Sequence, residues 1–374
     1  MASFVAAAAA VGIFAAGASA QGTSGGPEHI FFIMMENQAA EEIIGNEQYA
    51  PFINKLADQN RLATNFHGVT HPSLPNYLAA VSGSYQGIFD DCEVGANVTC
   101  EPEEFVPNSG DGTSGISLTP EETETAEKTP HLFSGKNIVD QLESAGISWK
   151  AYMEDLPYPG SQAVAAPVVD GQTVKLYAEK HDPFMYFSDI NYPGSQRLKD
   201  IVPFEHRFLK ELKNGTVPNY SFIVPNQCHD MHGISPSSAE LIGLPACGYP
   251  EAEPDNGPIQ LGDQWLKKTV GAIKRSPAWQ GNSEIIISWD ENDYDTDTSG
   301  GPFSPVGAEG KELGGGLAPT IVVSSQHPGH VVNNTPTDHY STLDAIQQMW
   351  HLGCLANTCR FTNEEYEQFK NLFN

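Results

Sequence analysis

The feature that most limits how this chain can fold is a set of four apolar, β-rich runs: His29–Met35 (HIFFIMM), Tyr220–Val224 (YSFIV), Glu284–Trp289 (EIIISW) and Pro319–Ser324 (PTIVVS). Each is near-continuous in apolar residues, where a half-exposed strand would alternate polar and apolar. Such runs suit strands buried on both faces, as in a parallel sheet covered by helices. Helical patterns lie between and after them. Phe52, Ile53 and Leu56 share one face of 49–59, and Ile138, Val139 and Leu142 one face of 137–145. Trp265, Leu266, Val270 and Ile273 do so in 262–273, and Leu343, Ile346 and Met349 in 341–352. The expected fold class is α/β, a mostly parallel central sheet sandwiched by helices.

Composition sets further bounds. The 374 residues hold 47 acidic against 19 basic side chains, a net charge of −28. That balance argues against a nucleic-acid binder, which needs cations to replace phosphate counterions, and against a polybasic membrane-surface protein. Residues 1–20 are apolar and end in Ala18-Ser19-Ala20, the pattern of a secretory signal cleaved before Gln21, although no Lys or Arg precedes Lys55. Residues 21–374 are expected to form a single domain, with loop excursions near 100–130 and 296–316. All six cysteines fall in that part, in close pairs Cys92/Cys100, Cys228/Cys247 and Cys354/Cys359. Nearest-neighbour disulfides are the simplest assignment in an oxidising compartment. Sequons at Asn97, Asn214, Asn219 and Asn333 mark candidate glycosylation sites. A soluble, secreted, extracellular glycoprotein is the expectation, with no stable membrane association.

Active sites of open α/β sheets collect beyond the carboxyl ends of the strands. Glu36-Asn37 follows the first run, and Asp290-Glu291-Asn292-Asp293 follows the third. The second is followed by Asn226-Gln227-Cys228-His229-Asp230-Met231-His232. These are hard oxygen donors and imidazoles, the set that holds a divalent cation. In His71-Pro72-Ser73-Leu74-Pro75-Asn76-Tyr77, Ser73 sits where an N-cap would, with Leu74 and Pro75 opening a helix. A hydroxyl there lies beside free N–H groups and the positive end of the helix dipole, which suits a phosphate. Asn76 is placed to donate to a phosphate oxygen. His339, in Asp338-His339-Tyr340-Ser341, follows the fourth run and reaches the same edge if that strand is parallel.

HIFFIMMEN, THPSLPNYLAAVSG, VPNQCHDMHG, SWDEND and DHYSTLDAI, in this order from His29 to Ile346, resemble a family of secreted phosphoesterases. That family contains fungal acid phosphatases and bacterial phospholipases C and is related in fold to the alkaline phosphatase superfamily. LESAGISWKAYMEDLP and YAEKHDPFMYF extend the resemblance over nearly the whole chain after residue 20, and HPSLPNY looks closer to the acid phosphatase branch. The resemblance implies Glu36, Asn37, Asp290 and Glu291 around a divalent metal ion, and Ser73 as a nucleophile forming a phosphoserine. His232 and His339 would bind phosphate or assist the leaving group, with Asn76 nearby. Thr70 competes with Ser73, and His229 with His232. Tyr152, Glu154 and His181 are candidates to line the cleft. The expected activity is a metal-dependent acid phosphatase acting on small phosphorylated monoesters, with a cationic histidine protonating the leaving oxygen at acidic pH. Phosphodiester hydrolysis, as in a phospholipase C, is the alternative, and a non-catalytic phosphate- or metal-binding protein the third. Calcium, magnesium and manganese suit the oxygens, zinc or iron the histidines. Oligomeric state is not legible.

Overall fold

The computed structural model describes residues 26–102, 118–249, 256–292 and 297–373. The expected signal segment, the middle of the 100–130 excursion and Asp293 lie outside them. The strands are β1 His29–Met35, β2 Arg61–His67, β3 Trp149–Met153, β4 Ala165–Val169, β5 Gln172–Ala178, β6 Ile201–Pro203, β7 Tyr220–Val224, β8 Ser283–Trp289, β9 Leu317–Ser324 and β10 Val331–Asn333. The α-helices are α1 Ala40–Ile43, α2 Pro51–Gln59, α3 Ser73–Ser82, α4 Pro120–Ala126, α5 Ile138–Ser144, α6 Glu205–Asn214, α7 Pro236–Leu241, α8 Asn256–Lys274, α9 His339–Met349 and α10 Asn363–Phe369.

Eight strands form one sheet in the order β10-β2-β9-β8-β1-β7-β3-β6, and β4–β5 form a separate hairpin. β1 runs parallel to both β7 and β8, with Ile33 level with Ile223 and Met35 level with Trp289. All of β7 and β8 and all but the first residue of β1 are buried, as their unbroken apolar character requires. Helix α8 packs against both α2 and α6, and α9 against both α3 and α10, two separate helical groups as a sandwich requires. The four apolar runs are the central strands of the sheet.

One strand departs from the expectation. β9 is antiparallel to both β8 and β2. His339 still comes to the carboxyl edge, because β10 intervenes and is parallel to β2. Disulfides join Cys92–Cys100, Cys228–Cys247 and Cys354–Cys359, the nearest-neighbour set. Among the described residues no helix is long and apolar enough to cross a membrane. Asn97 and Asn214 are exposed. Asn333 is buried, with Nδ2 donating to Gln368 O (2.8 Å) and Asn371 Oδ1 (2.6 Å), so its sequon offers no accessible amide.

At the amino edge of the sheet, Glu284 borders a cavity of about 350 Å³ that also touches His327, His351 and Tyr366. The Ser73 region contributes nothing to this cavity. Glu284 Oε1 accepts from Ser324 Oγ at 2.7 Å, and Oε2 is buried without a partner. Burial raises this carboxyl to about 7. Folded protein therefore holds the proton more tightly than unfolded chain does, and stability falls as pH rises through about 7. Glu284→Gln is expected to raise the thermal midpoint at pH 8, by the equivalent of about 1–2 kcal/mol, and to leave it unchanged at pH 4. Scanning calorimetry at the two pH values checks this, and an equal shift at both would contradict the assignment.

Candidate active site

The adjacent carboxyl ends of β1, β7 and β8 bring three chain segments to one point. Glu36 N–H donates to Asp230 O at 2.9 Å, and Asp290 N–H to Met35 O at 3.0 Å. Asn37 takes a left-handed backbone (φ 38°), which Asn tolerates better than most residues. Its N–H donates to Asp290 Oδ1 at 3.0 Å. The Asp290–Glu291 turn is held from below by close backbone packing. A Cβ on Gly68 would meet Asp290 O and Gly315 Cα at 2.9 Å, and one on Gly315 would meet Thr70 O at 2.7 Å. Gly315 N–H donates to Gly68 O (3.0 Å) and Asn292 N–H to Gly315 O (2.9 Å), so only glycine lets these strands of chain approach.

Ser73 is not the N-cap. Pro72 occupies that position, and Ser73 is the first helical residue of α3 with no capping bond from its side chain. Not every N–H at this helix start is free for a phosphate, since that of Leu74 donates to Asp91 Oδ1 at 2.9 Å. The Ser73 hydroxyl instead faces Glu36 Oε2 at 3.1 Å, Glu291 Oε1 at 3.3 Å and Asn37 Oδ1 at 3.4 Å. One proton cannot serve three acceptors. The inward end of the Asn37 amide is 3.0 Å from Glu36 Oε2 and 3.2 Å from Glu291 Oε1. Turned with its NH₂ inward it satisfies both carboxylates, and turned with its carbonyl inward it completes an all-oxygen set. Oxygen–oxygen edges around a six-coordinate hard cation are about 3.0 Å for magnesium and about 3.4 Å for calcium, given their usual bond lengths. The Ser73 cluster spans that range. Its donor chemistry therefore fits a divalent cation held by Glu36, Asn37, Glu291 and Ser73, with Asp290 adjoining. The tightest group of His, Cys, Asp and Glu atoms among the described residues is Asp90, Cys92 and Cys100, whose two cysteines are joined in a disulfide and ligate nothing.

Negative charge is concentrated here. Burial, then the neighbouring Asp290 carboxylate, raises Glu36 well above the usual carboxyl range. Burial and Glu291 do the same to Asp290, and burial and Glu36 to Asp230. A divalent cation relieves that repulsion. Lys180, on the turn after β5, also opposes it. Its Nζ lies 2.5 Å from Asp91 Oδ2 and 3.4 Å from Ser73 Oγ. Burial works to lower this ammonium, but Asp91 and Glu36 outweigh it and hold the group charged.

His181 stacks on Tyr77, rings 5.1 Å apart, with Nε2 3.1 Å from Glu36 Oε1. His232 stands 5.9 Å from His181, ring to ring, and its Nδ1 donates to Gly233 O at 3.0 Å, leaving Nε2 as the acceptor nitrogen. His339 Nε2 donates to Asp290 O at 2.6 Å, so this imidazole steadies the turn that carries two acidic ligands. Burial lowers His232 to about 3 and His339 to about 4. Burial, reinforced at His232 by the Lys180 charge, therefore disfavours at these two positions the cationic histidine expected from the sequence.

The family model described as "Phosphoesterase family" matches residues 46–242 and 245–353. The chain belongs to this family. It is 25% identical over 356 residues to a Kluyveromyces lactis protein named "Probable acid phosphatase", covering 91% of this chain and 65% of that one. It is 28% identical to the "Phosphatidylinositol-3-phosphatase" of Mycobacterium tuberculosis over 325 residues, covering 87% of this chain and 77% of that one. The chain thus spans about two thirds of the length of the yeast relative. A solved Vibrio parahaemolyticus protein in the alkaline phosphatase superfamily superposes with a TM-score of 0.48 at 12% identity, over 91% of this chain and 72% of that one.

Within the family member described here, the remaining candidates separate by geometry. Asn76 spends its amide on the loop before α3. Its Nδ2 donates to Thr70 O (2.6 Å) and Pro72 O (3.1 Å), and Oδ1 accepts from Val69 N–H (2.7 Å). It positions Ser73 and has no donor left over for phosphate in this arrangement. Thr70 Oγ1 is buried without a hydrogen-bond partner, so it makes none of the contacts that the Ser73 hydroxyl makes. His229 donates to Glu154 Oε2 at 2.9 Å, and Trp265 Nε1 to Glu154 Oε1 at 3.2 Å, so that pair forms its own bracket. Tyr152 turns its hydroxyl to Glu211 on α6 and packs on Phe208, 4.9 Å ring to ring, so it lines no cleft. Sequence reasoning passed over His71, Asp91 and Lys180. His71 Nδ1 donates to Glu291 Oε2 at 2.6 Å, and its place two residues before Ser73 was the available signal. Asp91 and Lys180 are joined only through the fold.

Proposed function

We propose that the chain is a secreted, metal-dependent phosphatase that hydrolyses phosphate monoesters through a phosphoserine at Ser73. The observation that carries this reading is the Ser73 hydroxyl at the centre of an oxygen set built by Glu36, Asn37 and Glu291. A divalent cation bound there supplies Lewis-acid stabilisation of the serine oxygen and of the charge on the phosphoryl oxygens. Ser73 Oγ forms a bond to phosphorus while the bond to the leaving oxygen breaks, and that oxygen takes a proton from solvent. The serine proton passes to Glu36 Oε2, the nearest acceptor, at 3.1 Å. In the second step water attacks phosphorus, the Oγ–P bond breaks, and Glu36 returns the proton to Ser73. The sum is ester plus water giving alcohol plus phosphate.

His232 Nε2, unprotonated at mildly acidic pH, accepts a proton from the attacking water or from a substrate hydroxyl. His339 holds the Asp290 turn, and Asn76 and His71 hold the serine loop and Glu291. The names of the yeast and mycobacterial relatives, both phosphatases, favour a monoester over a diester. Secretion belongs to the same proposal. Three disulfides suit an oxidising compartment, and Asn97 and Asn214 are the sequons whose exposure admits a glycan.

The test is the initial rate on p-nitrophenyl phosphate against bis-p-nitrophenyl phosphate at pH 5–6, before and after chelation. We expect a monoester preference of about 10²-fold or more, loss of activity with chelator, and recovery on adding magnesium, calcium or manganese. Full activity after exhaustive chelation would sink the metal-dependent reading. A strong diester preference would move the protein to the phospholipase side of its family.

A further inference from the structure

We propose that Lys180 sets the preference of this site for phosphate monoesters, by reading the second negative charge that a diester lacks. The proposal rests on the phosphatase reading above and assigns its selectivity to one side chain.

Lys180 is 8% exposed, a rare condition for lysine unless it is paired. Its partner is Asp91, 2.5 Å away through Oδ2. The other Asp91 oxygen accepts the Leu74 N–H at 2.9 Å. One carboxylate therefore ties the ammonium to the first turn of the helix that carries Ser73, and fixes the distance between Nζ and Ser73 Oγ at 3.4 Å. The ion pair is oriented, with its positive end toward the serine and its negative end behind. Lys175 adds positive field at Asp91, His181 and His232.

A phosphorus atom that bonds to Ser73 Oγ brings its non-bridging oxygens within reach of a donor that stands beside Oγ. The other charged walls of the site are acidic. Glu36, Asp290 and Glu291 together exceed the charge of one divalent cation, and Asp230 adds another carboxylate. That surplus disfavours a dianionic monoester more than a monoanionic diester. A fixed ammonium in a buried setting reverses the bias, because its attraction is little screened and grows with the number of anionic oxygens it meets. In a diester, one of those oxygens carries an alkyl or aryl group, which would displace water from the ammonium and return no charge.

The experiment measures kcat/KM for p-nitrophenyl phosphate and for bis-p-nitrophenyl phosphate in the wild type, Lys180→Met, Lys180→Gln and Lys180→Arg, with saturating magnesium. For Lys180→Met the monoester value is expected to fall about 10²-fold and the diester value less than about tenfold, so the ratio drops at least about tenfold. Lys180→Gln keeps a donor for Asp91 without the charge, and is expected to lose the ratio likewise should the methionine variant fail to fold. Lys180→Arg keeps the charge and is expected to hold the ratio within about threefold of wild type. Equal losses on both esters in the folded variants would mean that Lys180 only organises the loop, and would overturn the proposal. So would an unchanged ratio in Lys180→Gln. A wild-type protein that turns over neither ester fails the phosphatase reading itself, which is a separate outcome seen before any variant is made.

Discussion

Ser73→Ala is expected to lower kcat/KM on an aryl monoester by about 10⁴-fold or more, because the variant lacks the atom that forms the bond to phosphorus. Stability should change little. The Ser73 hydroxyl has one proton to share among three acceptors at 3.1–3.4 Å, so its removal takes away about one weak hydrogen bond. It also removes an oxygen from a crowded acidic cluster. Steady-state rates should therefore be read beside the thermal midpoint, which is expected to stay within a few degrees of wild type. Acid quench of the wild type on labelled monoester should trap phosphate on the peptide containing residue 73. Thr70→Ala should retain activity, since that hydroxyl makes none of the contacts that the Ser73 hydroxyl makes. Label on Thr70, or a Ser73→Ala variant that keeps a tenth of the activity, would remove Ser73 as nucleophile.

Glu36→Gln is expected to act in opposite directions on function and on stability. The substitution takes a charged donor out of the oxygen set, and divalent cation affinity should fall about 100-fold or more, with activity lost at ordinary metal concentrations. The metal-free protein should become more stable at pH 7. Burial and the Asp290 carboxylate raise the Glu36 carboxyl, so the folded state binds its proton more tightly than the unfolded chain does. Stability from this group is complete below the unfolded value of about 4 and is lost as pH rises above it. An amide has no such loss. Thermal midpoints in chelator at pH 4 and pH 7 check the point. The variant should exceed wild type at pH 7, match it at pH 4, and show no gain on adding magnesium or calcium. A lower midpoint than wild type at pH 7 in chelator would show that the carboxylate is a net stabiliser without the cation.

Much of this was visible in the sequence because two signals coincide. Apolar runs mark β1, β7 and β8, and the residues just after them carry the acidic and imidazole groups, so strand assignment alone places Glu36, Asp290 and His232 at one edge. The strands that escaped notice lack the first signal. β2 (RLATNFH) mixes polar and apolar residues and has an exposed Thr64, while β6 and β10 are only three residues long. Two short elements did carry a local signature. Asp170-Gly171 joins β4 to β5 with positive φ at both residues, the two-residue turn that Asp-Gly favours. Thr119-Pro120-Glu121-Glu122 opens α4 with a full capping box and Pro at the first position, inside a stretch read as an excursion for its few large apolar residues. The Lys180–Asp91–Leu74 chain is a different case. It joins residues that neither share a motif nor sit at regular spacing, and only the packing of the turn after β5 against α3 brings them together.

The reversed direction of β9 has a consequence for how such a site can diversify. β8 ends at Trp289 on the active edge, and β9 begins at Leu317 on that same edge. The chain between them therefore leaves and re-enters the sheet on one side, anchored at its start by the Asp290–Glu291 turn and at its end by Gly314–Gly316. A right-handed crossover would have to traverse the molecule and could not change length without shifting a helix. A connection tethered at both ends to one edge can gain or lose residues while the strands and the acidic ligands stay in place. Relatives built on this plan can acquire new cleft walls by altering that one connection, with the chemistry beneath it left as it was.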